Sequence, residues 1–151
     1  MEENLHAEVR ERALRLLARR EHSERELAGK LAQRGYERTV VDEVIADLAA
    51  ERLVSDERFA EEFVRARSGQ GFGPLRIRAD LARRGVDDAL ITPHLSDDAQ
   101  WVAAASELHR KRYGDAPPQD VREKARRTRY LANRGFTAEQ VRRVVGGLED
   151  E

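Results

Sequence analysis

The chain has 151 residues, 40% of them hydrophobic and 38% charged, with a net charge of -1, no cysteine and a mean hydropathy of -0.75. Without cysteine there is no disulfide framework, no thiol nucleophile and no thiolate metal site, which points to the reducing cytoplasm as the compartment. The longest apolar run, Trp101 to Ala105, is far short of the ~18 residues a membrane span requires, and Met1 to His6 offers no apolar export segment.

Ala, Leu, Arg and Glu dominate and β-branched and aromatic residues are sparse, so intrinsic propensity favours helix nearly everywhere. The pattern predicts nine helices. The first, over 8–20, carries the apolar stripe Val9, Ala13, Leu16 and Leu17. The second, over 23–34, opens on the capping-box pair Ser23 and Glu26, with His22 expected to pair with Glu26, and stops at Gly35. The third, over 38–51, places Val41, Val44, Ile45 and Leu48 at i, i+3, i+4 and i+7. The fourth, over 55–68, starts at Ser55 and presents Phe59 and Phe63. Gly69 to Pro74 reads as a flexible connector, a hinge ahead of a helix over 73–84 that carries Arg76 and Arg78 and stops at Gly85. A short helix over 88–95 keeps Ile91 and Leu95 but has His94 where the other copies have valine, and Pro93 cuts it short. The last three run over 97–113 with Trp101, Ala105 and Leu108, over 118–134 with Pro118 in the first turn and a stop at Gly135, and over 137–149.

The pentapeptide Leu-Ala-x-Arg-Gly occurs at Leu31 to Gly35, Leu81 to Gly85 and Leu131 to Gly135, at a spacing of fifty residues each time. Val141, Val144, Val145 and Leu148 follow Gly135 at the same offsets as Val41, Val44, Ile45 and Leu48 follow Gly35. Fixed-period self-similarity of this kind marks tandem repeats. The expected architecture is all-α: three three-helix repeats over 1–52, 53–95 and 96–151, stacked into an elongated, curved array. Gly35, Gly85 and Gly135 are the helix caps, because a residue just past a helix end often takes a left-handed conformation that glycine adopts without steric cost.

Charge concentrates late. Arg110 to Arg134 holds 9 basic residues against 3 acidic ones, a local excess of +6. Arg122, Lys124, Arg126, Arg127 and Arg129, beside Tyr130, form the densest candidate contact patch, joined by Arg76, Arg84 and Arg134. Two readings of these cations stand together: a partner-binding face, or solvated helix surface in which Arg34, Arg84 and Arg134 offset the exposed carbonyls of the last turn. The 25 arginines against 3 lysines likewise fit either a coding bias or a use for the forked guanidinium.

Catalytic constellations are missing from the sequence. There is no phosphate-loop motif, no H-E-x-x-H and no G-x-S-x-G, and His6, His22, His94 and His109 are scattered. The chain therefore reads as a binding protein with no metal and no cofactor.

Several motifs resemble the bacterial RecX family over nearly the whole chain. They are Arg12-Ala13-x-x-Leu16-Leu17 leading into His22-Ser23-Glu24-x-Glu26-Leu27, Leu53-Val54-Ser55-Asp56-x-x-Phe59-Ala60, Gly73-Pro74 before Ile77 and Leu81, and Leu131-x-x-Arg134-Gly135-Phe136. The resemblance implies three tandem three-helix repeats and a monomer that binds in the groove of the RecA–DNA filament. There it would restrain ATP hydrolysis, strand exchange and co-protease activity, as a regulator of recombinational repair and the SOS response. Weak direct contact with DNA is a further expectation. A helix-turn-helix-like DNA-binding module and a generic helical scaffold are the competing readings; steep salt dependence on bare duplex would mark the first.

Overall fold

The computed structural model of the protein describes residues 2–146, which contain nine α-helices and no strand. They are α1 (Glu2–Arg19), α2 (Glu24–Gln33), α3 (Arg38–Ala50), α4 (Asp56–Gly69), α5 (Pro74–Arg83), α6 (Asp88–Leu95), α7 (Asp98–Tyr113), α8 (Val121–Arg134) and α9 (Ala138–Val145). The chain contains two compact units. One comprises residues up to Glu62 together with Leu81–Ile91, the other Phe63–Asp80 together with the residues from Thr92 onward.

In the first unit α1, α2 and α3 pack pairwise. Val9, Ala13, Leu27, Leu31, Val41 and Leu48 are fully buried between them, which is the helical-period stripe of each segment turned inward. Ser23 caps α2 with a complete capping box: its hydroxyl accepts from the Glu26 N–H at 3.0 Å while the Glu26 carboxylate accepts from the Ser23 N–H at 3.3 Å. In the second unit α7, α8 and α9 contact one another, with Trp101, Ala105, Leu131, Phe136, Val141 and Val145 buried. The Trp101 indole N–H is satisfied by the Leu95 carbonyl at 3.0 Å. Thr137 and Gln140 form the second capping box, at the start of α9.

Two helix starts differ from expectation. Helix α1 begins at Glu2, well ahead of residue 8, because Leu5 extends the packed face and the carboxylate of Glu3 suits the positive end of the helix dipole. Conversely, α8 begins only at Val121. Pro118 lies in the preceding loop, and Asp120 is the cap, its carboxylate accepting from the Glu123 N–H at 2.8 Å. Leu148 and the expected end of the last helix lie outside the described residues.

All three pentapeptide glycines have positive φ, 90° at Gly35, 82° at Gly85 and 105° at Gly135. Each N–H reaches back to the alanine of its own pentapeptide, at 2.9, 3.0 and 3.0 Å respectively. At Gly85 and Gly135 the following N–H also bonds the pentapeptide leucine carbonyl, which completes a Schellman motif.

Two of these ends carry a further burden, because the start of another helix is seated on them. Within the first unit, the Ser23 hydroxyl donates to the Arg84 carbonyl at 2.8 Å, and a Cβ on Gly85 would stand 2.4 Å from Arg25 Cδ. Within the second unit, the Gly73 N–H donates to the Arg134 carbonyl at 2.7 Å and the Leu75 N–H to the Gly135 carbonyl at 2.9 Å. A Cβ on Gly73 would lie 2.5 Å from the Gly135 carbonyl carbon, and one on Gly135 would lie 2.5 Å from Arg76 Cβ. Gly35 has open space around it.

The glycines should therefore differ in cost. Gly35→Ala carries only the left-handed penalty, about 1–2 kcal/mol. Gly135→Ala adds a backbone-side clash worth about 1–3 kcal/mol, and Gly73→Ala has the clash without the φ penalty. Urea unfolding should rank the losses Gly135→Ala above Gly35→Ala; equal losses would show that the seated helix start contributes nothing.

Candidate partner-binding surface

Helix α8 is strongly two-sided. Arg127 and Leu131 are buried and Glu123, Tyr130 and Arg134 half-buried, while Arg122, Arg126 and Arg129 are exposed. The spacing i, i+4, i+7 sets these three guanidiniums along one outward stripe about 10 Å long. None of the three forms an ion pair with another described residue. Arg112 at the end of α7 adds a fourth exposed cation that the sequence patterns did not single out. Its guanidinium lies over the Tyr130 ring at 4.5 Å, and Tyr130 meets Tyr113 edge-on at 5.9 Å between centroids. Tyr113 adjoins Arg112 in sequence and lies 5.9 Å from its guanidinium, but the ring that Arg112 covers most closely, Tyr130, lies on a different helix.

The other expected contact residues are placed differently. Arg127 points inward and is 3% exposed. It pairs with Glu123, donates to the Ala116 carbonyl at 2.9 Å, lies 3.4 Å from His109 Nε2 and stacks on Tyr113 at 4.9 Å. Since arginine only donates, His109 Nε2 is the acceptor and the ring is neutral. Arg127 thus holds the 114–120 loop against α7 and α8 instead of facing a partner. Lys124 is half-buried and engaged. Arg134 donates to the Gly71 carbonyl at 3.0 Å and the Gln70 carbonyl at 2.6 Å, and both it and exposed Arg76 lie over the Phe72 ring, each guanidinium 4.4 Å from the ring centroid. The Gly69 to Pro74 stretch, expected as a flexible hinge, is therefore a built loop. In the first unit Arg84 is half-buried and pairs with Glu26 at 3.6 Å.

His22 also departs from its expected pairing with Glu26. It is 1% exposed, its Nδ1–H donates to the Arg20 carbonyl at 3.0 Å, and its Nε2 accepts from the Lys30 ammonium at 2.9 Å. Glu26 instead pairs with Arg20 at 3.2 Å, and these bonds hold its carboxyl below the usual range despite burial, which acts the other way. Among the described residues no group of three metal-ligating side chains converges, and no helix is long and apolar enough to cross a membrane.

An all-helical repeat protein with a cationic stripe on one helix is the class that these features define. Family models describing the first, second and third three-helix domains of RecX match residues 10–48, 55–93 and 98–145. The chain is 46% identical over 144 residues to the regulatory protein RecX of Halorhodospira halophila, covering 95% of this chain and 89% of the relative. It is 41% identical over 142 residues to that of Pseudomonas entomophila, covering 93% and 92%. The crystal structure of RecX from Lactobacillus salivarius shares the fold, with a TM-score of 0.81 at 21% identity over 94% of this chain and 95% of that one. The chain belongs to the RecX family of regulatory proteins.

Arg127→Ala should destabilise the protein by about 3 kcal/mol or more, since it leaves Glu123 and the loop carbonyl without their partner, whereas Arg122→Ala should fall within about 0.5 kcal/mol of the parent. Urea midpoints of the two variants decide between an inward and an outward Arg127.

Burial pushes both His22 and His109 below the usual imidazole range, with the neighbouring cations acting in the same direction. The unfolded chain therefore binds protons more readily at these two positions. Their contribution to stability is complete above the unfolded imidazole pKa of about 6.5 and is lost as the pH falls from there through the depressed folded-state values. Melting temperature should drop between pH 7 and pH 5, and the drop should shrink in His109→Gln; an unchanged slope would assign the loss to other groups.

Proposed function

We propose that this protein is a non-enzymatic regulator that binds the RecA–DNA filament and restrains RecA. Family membership carries the proposal, and the outward stripe Arg122, Arg126 and Arg129 with Arg112 supplies a surface of the right chemistry for an acidic subunit face or DNA phosphate. Three repeats, bounded near 1–52, 53–95 and 96–151, favour a repetitive target. Several weak contacts on one chain gain effective concentration when the target sites recur along a polymer. The net charge of -1 argues against a general DNA binder, because sequence-independent affinity for duplex scales with the phosphates neutralised. Direct DNA contact is accordingly secondary, and the protein acts as a monomer.

RecA ATPase on single-stranded DNA, titrated with this protein, tests the reading; inhibition at less than one molecule per RecA subunit is the expected result. No effect at stoichiometric excess, together with tight and salt-sensitive binding to bare duplex, would move the assignment to a DNA-binding module. Combined Arg122→Ala, Arg126→Ala and Arg129→Ala should raise the half-inhibitory concentration about tenfold, equivalent to ~1.4 kcal/mol, with helicity unchanged. An unaltered curve would take the stripe out of the interface.

A further inference from the structure

Of the three helices that end in the Leu-Ala-x-Arg-Gly pentapeptide, only α2 ends uncovered: Gly85 and Gly135 each receive the start of another helix, whereas a Cβ on Gly35 would meet nothing within 4 Å. That bare end adjoins an open groove of about 570 Å³ between α1 and α2, lined by Arg12, Arg15, Arg19, Lys30, Gln33 and Arg34 over Leu16. No carboxylate lines it. Arg15 pairs with Glu11 at 2.8 Å, Arg12 reaches the Tyr36 hydroxyl at 3.3 Å, and Lys30 is held by His22. Arg19 and Arg34 are exposed and form no ion pair with another described residue.

Balancing the carbonyls does not account for the four cations that remain once Arg15 is paired with Glu11. The C-termini of α1 and α2 present about half a negative charge each. The surplus is also local, since the first unit as a whole carries 13 basic against 18 acidic residues and is net -5. A long polyanion would be repelled beyond the groove; a short acidic segment would not. The covered end at Gly85 shows what such a segment looks like. There the docking helix opens with Ser23, whose hydroxyl donates to the Arg84 carbonyl, and its third residue, Glu26, pairs with the Arg84 guanidinium.

We infer that the Arg34–Gly35 end of α2 and its cationic groove form a docking site for the acidic first turn of a helix from a protein partner, a Ser-x-x-Glu start seated as Ser23 and Glu26 are seated on Arg84. A second copy of this chain does not supply it. Among the described residues the one Ser-x-x-Glu helix start, Ser23 with Glu26, is already seated on Arg84; the Ser55 start of α4 has Arg58 as its third residue, of the same sign as the groove, and α8 opens on Asp120, which has no hydroxyl to donate. The inference rests on this surface alone and holds whether or not the partner is RecA.

The test uses the 15N-labelled full chain titrated with a synthetic helical peptide, about four turns long, that opens acetyl-Ser-Pro-Glu-Glu. A control opens acetyl-Ala-Pro-Gln-Gln. Saturable shifts should centre on Arg19, Lys30, Arg34 and Gly35, with affinity at least about tenfold weaker for the control peptide and for the Arg19→Glu, Arg34→Glu chain. Arg34→Gln alone serves if charge reversal disturbs the amide spectrum, and it should weaken binding in the same direction. Absence of shifts, shifts elsewhere, or equal response to the control overturns the inference. So does a short DNA duplex that moves the same resonances as strongly as the peptide, which would make this a phosphate site. Sedimentation showing self-association abolished by Arg34→Gln would assign the groove to a second copy and overturn it as well.

Discussion

Seating one helix start on another helix's glycine-terminated end is the contact on which the fold of both units depends. It joins segments far apart in sequence through few atoms: a hydroxyl or backbone N–H donating to the carbonyl before the glycine, and close approach over the glycine's missing side chain. The carbonyls at a helix C-terminus are otherwise unsatisfied, and the N–H groups at a helix N-terminus are too, so bringing the two together satisfies both with a single geometry. At Gly73 and Gly135 both sides of the contact are glycine, and the chains approach until a Cβ on either would fall 2.5 Å from an atom of the other segment.

This contact separates the two reasons for a glycine. The positive φ is local, is common to Gly35, Gly85 and Gly135, and could be expected from a Leu-Ala-x-Arg-Gly stop. Close approach is tertiary and is found at only two of the three, so no sequence pattern distinguishes them. The arginine before each glycine shows the same divergence. Arg34 is free among the described residues, Arg84 pairs with Glu26, and Arg134 ties down two carbonyls of a loop that its glycine content alone made look like a hinge. Identical residues at a fixed period thus predicted a common backbone, and their neighbours assigned each side chain a separate task.

Legibility followed the same division. The period of the apolar stripes and the capping boxes at Ser23 and Thr137 revealed every helix and the three-helix grouping, because those signals are carried by residues within a few positions of one another. Starts set by packing or by proline geometry were harder. Leu5 extends α1 beyond the stripe that begins at Val9, and Pro118, suited in principle to a first turn, stands before the Asp120 cap. The contact patch was read from composition, which records that α8 is basic but not which way each cation points. On a helix, residues 126 and 127 are about 100° apart, and that rotation puts Arg126 outside and Arg127 in the core.

The excess of arginine over lysine then acquires a partly physical account. Arg134 donates to two carbonyls while its flat face lies on Phe72, Arg127 divides its donors between a carboxylate, a carbonyl and a histidine while facing Tyr113, and Arg112 covers Tyr130. A lysine ammonium offers neither the fork nor the planar face, so these positions select arginine whatever the coding bias. Arg122, Arg126 and Arg129 have no such constraint among the described residues. The local excess of +6 between Arg110 and Arg134 therefore overstates the free surface charge, because Arg127 and Arg134 are committed to the fold and Arg110 to Glu107 at 2.7 Å. What remains is a narrow cationic stripe on a nearly neutral protein. Such a surface contributes affinity only against a partner that presents matching negative charge at close range, which is how a regulator can recognise one assembly without adhering to every polyanion in its surroundings.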